Sequence, residues 1–103
     1  MPIRRNRRTR KQYLGKLTRW TEVQPGTHDR TLMYKRCGNK CFLGSQKSFP
    51  ICRRGTCRVN MGGVQAAYIR ARELTRRAKD RTVTKHSERY YRRVASRAKK
   101  MLH

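Results

Sequence analysis

The hydrophobic positions of this chain follow different rules in its two halves. Beyond residue 60 they recur at three- and four-residue steps. Val64, Ala67, Tyr68, Ala71, Leu74 and Ala78 form one stripe behind Asn60, a good helix N-cap. Arg70, Arg72, Arg76, Arg77 and Lys79 fall on the opposite face. The pattern breaks over residues 79–83. Thr84 is then placed to cap a second helix with Glu88 in its first turn, where a carboxylate suits the helix dipole. Its stripe is Ser87, Tyr91, Val94, Ala98 and Met101 or Leu102, with Arg89, Arg92, Arg93, Arg97, Lys99 and Lys100 outside. Two such helices joined by a short link predict an antiparallel helical hairpin. Alanine on both stripes predicts close helix approach, and Gly62-Gly63 reads as easing the helix start.

Upstream the pattern is weaker. Residues 1–12 hold six basic groups, no acid and almost no large apolar side chain. They predict a disordered basic arm that orders on a polyanion. Tyr13, Leu14, Leu17 and Trp20 share one side of two helical turns, although Gly15 weakens that helix. Trp20 reads as a core anchor rather than a platform for stacking bases. Gln24-Pro25-Gly26-Thr27 is a turn by composition, and Thr31-Leu32-Met33-Tyr34 reads as a short strand. No internal repeat or Gly-rich phosphate loop occurs. The expected organisation is an arm over 1–12 and one small domain over 13–103, divided into a cysteine module (36–59) and the hairpin (60–103). The fold class is mainly α: a C-terminal antiparallel helical hairpin preceded by a small cysteine-stapled β-hairpin and loop module.

The module contains Cys37, Cys41, Cys52 and Cys57, spaced C-x3-C-x10-C-x4-C. Residues 53–56 form a loop in which Gly55 can take positive φ, so Cys52 and Cys57 would stand opposite each other on a hairpin. Phe42, Leu43, Phe49 and Ile51 would pack beneath. Four thiols in two close pairs can hold tetrahedral zinc, and small domains with thin cores often need such a staple. Zinc knuckles usually place two residues between ligands, however, and neither pair does. Two disulfides are the alternative, either Cys52 to Cys57 or between the pairs. No apolar stretch follows the basic residues of 1–8, so no secretory signal is expected. A reducing compartment would favour thiols, and then zinc, the one cofactor the residues suggest. His28 is the only histidine considered as a substitute ligand; His86 and His103 read as surface groups.

Charge narrows the function. The chain has 103 residues, with 29 Lys plus Arg against 5 Asp plus Glu, a net charge of +24. Residues 1–57 carry 15 basic and 2 acidic groups (+13), and residues 58–103 carry 14 and 3 (+11), so the whole chain is cationic. Of the basic residues 20 are Arg, whose planar fork matches phosphate oxygens two at a time. Self-repulsion at this density opposes compaction unless a polyanion neutralises it. Nucleic acid is the expected partner, DNA ahead of RNA, and no membrane. No run of 18 apolar residues occurs to span a bilayer. An enzyme is not expected. The apolar content is too small for the walls of a deep cleft, and Glu22, Asp29, Glu73, Asp80 and Glu88 are too separated for paired-carboxylate chemistry. Those acids are expected to pair with arginines or cap helices.

Candidate phosphate contacts are Arg4, Arg5, Arg7, Arg8 and Arg10 in the arm, and Arg70, Arg77, Arg89, Arg92, Arg93 and Arg97 on the polar helix faces. Phosphate contacts position a protein without reading bases, so weak sequence preference is expected. Tyr90, Tyr91 and Trp20 could stack on unpaired bases, with core packing accounting for at least two of them. The small-residue stripes also admit a homo-oligomer.

Cys37-Gly38-Asn39-Lys40-Cys41-Phe42-Leu43-Gly44, Ser48-Phe49-Pro50-Ile51-Cys52, Thr56-Cys57-Arg58-Val59 and Ala66-Ala67-Tyr68-Ile69-Arg70-Ala71-Arg72 carry a resemblance. They resemble small, very basic four-cysteine proteins of large nucleocytoplasmic DNA viruses, the giant viruses of amoebae and algae. The likeness covers residues 36–102, including Ala98-Lys99-Lys100-Met101; the first 35 residues match only in being basic. Where such proteins commonly have Gly-Pro after Phe-Leu, this chain has Gly44-Ser45, so the turn there is expected to differ. The resemblance implies a protein of the virion, and of the cytoplasmic virus factory or nucleus of the infected cell, associated with the packaged genome. Such viruses commonly carry their own thiol oxidation system, which moves the cysteine balance towards disulfides. The leading expectation is a non-enzymatic, largely sequence-independent DNA-binding and condensing protein. A minor capsid or internal structural component contacting other virion proteins comes second, and an RNA-binding or ribosome-associated protein third.

Overall fold

The computed structural model describes residues 19–103. The arm, with Arg4, Arg5, Arg7, Arg8 and Arg10, and the helical face of Tyr13, Leu14 and Leu17 lie outside the described residues. Residues 19–23 are helical; 24–26 are an irregular link in place of the expected turn, and Thr27 already belongs to the next helix. The remaining helices are α1 (Thr27–Cys37), α2 (Met61–Lys79) and α3 (Glu88–Leu102), with a 3-10 turn over Gly38–Cys41.

Helix α1 replaces the strand expected at Thr31–Tyr34. Asp29 accepts a hydrogen bond from the Gly26 N–H at 3.2 Å, which secures the first turn, and Lys35 and Arg36 suit its last turn. The Thr31 hydroxyl donates to the Thr27 carbonyl at 3.4 Å, so its polar group is satisfied within the helix. Helical geometry sends Met33 into the core and leaves Leu32 and Tyr34 exposed. A threonine followed by three apolar residues does not distinguish helix from strand, and here the cap decides. Gly38, at φ 70°, then ends the helix.

Pairing in the cysteine module is limited to isolated bridges, Phe42 with Pro50 and Cys52 with Val59. The first is extended by Leu43 N–H to Phe49 O at 3.0 Å and Ile51 N–H to Cys41 O at 2.8 Å. In the second, the turn stands where expected, with Thr56 N–H donating to Arg53 O at 3.1 Å and Gly55 at φ 74°. Its register differs. Thr56 also donates through its hydroxyl to Arg53 O at 2.8 Å and accepts from the Arg58 N–H, so Cys57 belongs to the loop. Cys52 therefore stands opposite Val59, and no Cys52–Cys57 bridge forms.

The disulfides instead link the two pairs in nested fashion, Cys37 to Cys57 and Cys41 to Cys52, with Cα separations of 5.5 and 5.1 Å. All four sulfurs are consumed, so the four-thiolate zinc arrangement is not formed. The inner bridge is fully buried with Met33 and Phe42, and the outer one packs against this cluster. A second cluster joins the module to the helices: Leu43 and Ile51 meet Val64, Ala67, Ala71, Val94 and Ala98. Phe49 packs at its edge, so all four apolar residues of the module lie beneath it as expected.

The helical hairpin forms as predicted, with one adjustment. Asn60 caps α2 through its side-chain oxygen, which accepts from the Gly63 N–H at 3.2 Å. Ser87, not Thr84, caps α3, accepting from the Tyr90 N–H at 3.2 Å. Thr84 is engaged earlier, donating to the His86 carbonyl at 2.6 Å, while the His86 N–H is held by the Tyr91 hydroxyl. That link delays the helix by three residues. Ser87 is consequently an exposed cap and not a stripe member, and Met101 is likewise exposed, leaving Leu102 half-buried at the core edge. No described helix is long and apolar enough to cross a membrane.

Candidate nucleic-acid interface

The two long helices cross-brace a surface groove of about 530 Å³ lined by Tyr68, Arg72, Thr75, Arg76 and Lys79 of α2 and by Arg92, Ala95, Ser96 and Lys99 of α3. Its residues recur every three or four positions along each helix, so each helix supplies one row. The buried stripes of both helices face Leu43 and Ile51 of the cysteine module, whereas no module residue lines the groove. Five of the nine lining residues are cationic and none is acidic. At the floor, the Arg72 guanidinium lies over the Tyr68 ring at 5.6 Å and donates to its hydroxyl at 3.4 Å, which stiffens a long side chain before any ligand arrives.

The six helical arginines singled out from the sequence do not converge. Arg92 alone reaches the groove, at its edge, where Glu88 holds it at 2.6 Å. Arg70 and Arg77 flank the other side of α2 and share one Glu73 oxygen, at 3.5 and 2.7 Å. They line a separate hollow with Lys85 and His86. Arg93 and Arg97 face the loop at Gly44 and Ser45, and Arg97 donates to the Leu43 carbonyl at 3.2 Å. Arg89 is exposed on α3. The ion pairs are all more or less open to solvent, and such pairs contribute only about 0–1 kcal/mol. A phosphate can therefore displace Glu73 or Glu88 at little cost.

Arg72, Arg76, Lys79 and Lys99 belong to the groove although they were not among the expected contacts. A signal was present: 72, 76 and 79, like 92, 95 and 99, flank the apolar stripe on one side, so two packed stripes bring these flanks together. Glu73 and Glu88 pair with arginines and Asp29 caps α1, as the scarcity of acids suggested.

The aromatic residues are committed mainly to structure. Trp20 and Tyr91 are buried, and Tyr90 stacks on His86 with ring centroids 3.9 Å apart. The Tyr90 hydroxyl accepts from the Ser45 N–H at 2.7 Å. Partial burial alone would raise its pKa, but hydrogen bonds from Ser45 and Ser48 and the charge of Lys85 outweigh that and leave it lowered. Proline at position 45 would have no N–H to offer, so Gly44-Ser45 in place of Gly-Pro creates a tie between module and α3. His28 is exposed on α1, and no cluster of metal-binding side chains occurs among the described residues.

No protein-family model matches the chain, and neither a curated protein nor a solved structure matches it.

Proposed function

We propose that this chain is a non-enzymatic, largely sequence-independent DNA-binding and condensing protein that works by neutralising phosphates. The observation that carries this reading is the α2–α3 groove, where Arg72, Arg76, Lys79, Arg92 and Lys99 come together with no carboxylate among the lining residues. A surface built only for solubility normally intersperses charges of both signs; here all five charged lining residues are cations, and the net charge of +24 leaves an anionic partner to balance the sum. The cations contact backbone, not base edges, because they line a shallow groove between two helices. The resemblance of residues 36–102 to basic proteins of large DNA viruses supports a virus particle as the setting and its genome as the partner.

Affinity for several unrelated DNA duplexes of equal length tests the reading. The expected result is affinities within a few-fold of one another; strong selection of one sequence contradicts it. Competition by a folded RNA of equal phosphate number checks the DNA assignment, and RNA winning by an order of magnitude would move the proposal to the RNA-binding reading.

A further inference from the structure

We infer that the α2–α3 groove is a track for one backbone strand, seating about two consecutive phosphates, and that it is the principal contact surface among the cationic ones of the described residues. This rests on the nucleic-acid reading above and assigns it to a place. The argument begins with dimensions. From residue 72 to 79 on α2, and from 92 to 99 on α3, a helix advances about 10 Å at ~1.5 Å per residue. The rise of about 3.4 Å per phosphate is counted along the duplex axis, and successive phosphates along the strand itself lie about twice as far apart, so roughly two phosphates fit that length. Two rows of cations on either side of a single trough address one strand from both flanks; a second strand has no matching row.

Charge inventory then separates this surface from the others. Arg70 and Arg77, which line the neighbouring hollow, are both paired with Glu73, which stands outside that lining. Arg97 spends a donor on the Leu43 carbonyl. In the groove, among the described residues, only Arg92 is ion-paired, to Glu88, and Arg72 is held by an aromatic ring instead of a carboxylate. Arg72, Arg76, Lys79 and Lys99 thus present charge that no carboxylate of the lining offsets. Because recognition needs one strand only, the groove should serve single-stranded DNA as well as duplex.

The test compares two variants of the full chain carrying equal charge changes. One replaces the groove cations (R72Q, R76Q, K79Q, K99Q); the other replaces exposed module cations (K40Q, R53Q, R54Q, R58Q). All eight side chains are exposed, so both variants should fold, which helical circular dichroism and intact disulfides would verify. Binding is measured against salt with a mixed-sequence duplex and with oligo(dT). For the groove variant, the log–log salt slope on duplex should become shallower by about 2, two phosphates at ~0.9 each, and by about 1.4 on oligo(dT). The module variant should change by less than half as much. Equal losses in both variants would overturn the groove assignment while leaving general DNA binding intact. Failure of the unaltered protein to bind either probe would instead overturn the functional reading itself.

Discussion

Gly63 shows how much one missing methyl group can matter. It sits in the first turn of α2 directly beneath Trp20, and a Cβ built there would lie 2.7 Å from the indole edge. Alanine ordinarily improves a helix interior by up to about 1 kcal/mol over glycine. At this position overpacking of a buried ring, costing about 1–3 kcal/mol, should prevail. G63A is therefore expected to lower the urea midpoint, and an unchanged or higher midpoint would show that Trp20 is free to move aside. Tyr90 offers a second check on a single atom. Its lowered pKa means the folded state favours the phenolate more than the unfolded chain does. At neutral pH both states keep the proton and ionisation contributes nothing. As pH rises from the lowered value towards the ordinary 10.0, stability from this group increases, and Y90F should abolish that alkaline rise. Y90F should also cost about 1 kcal/mol at neutral pH through loss of the Ser45 hydrogen bond. Denaturant melts at neutral and alkaline pH read both effects.

At the scale of elements, the long helices were legible because each repeats its pattern over four or more turns and starts at a residue able to cap it. Short segments were less so. Thr31–Tyr34 looks like a strand until Asp29 is seen to close the turn at Gly26, and Thr84 looks like a cap until the His86 carbonyl claims its hydroxyl. Cysteine spacing shows that the module is stapled but not which thiols meet. That depended on whether Cys57 belongs to a strand or a loop, a matter settled by the Thr56 hydroxyl. The groove was half-legible, since its rows can be counted on each helix while their meeting requires the hairpin. Two predictions belong here. The loop Ser45–Ser48 places non-glycine Gln46 and Lys47 at φ 53° and 62°, the signs of a mirror-image hairpin turn. The pair Q46N and K47G should therefore raise stability by about 1 kcal/mol or more, measured by chemical denaturation. Limited reduction by a dithiol should first open the half-exposed Cys37–Cys57 bridge and spare the buried Cys41–Cys52 bridge, as alkylation and peptide mapping would show. The reverse order would contradict the burial of the inner bridge.

The molecule as a whole balances a thin core against strong self-repulsion. Its two apolar clusters are small, and nested disulfides restrict the unfolded chain, each loop contributing about 3 kcal/mol in the chain-entropy account. Cations on every face oppose compaction, and salt screens them over a Debye length of about 10 Å at 0.1 M. The melting temperature should rise from low to moderate salt, the opposite of what a protein held together by surface ion pairs would do. Binding runs the other way, since each phosphate contact releases counterions that salt forces back. The decisive measurement is accordingly the affinity of the unaltered protein for unrelated duplexes from low to moderate salt. If about a third of the net charge meets phosphates, the log–log slope should be roughly −7 on every sequence. A flat response, or a steep one on a single sequence alone, would contradict the account.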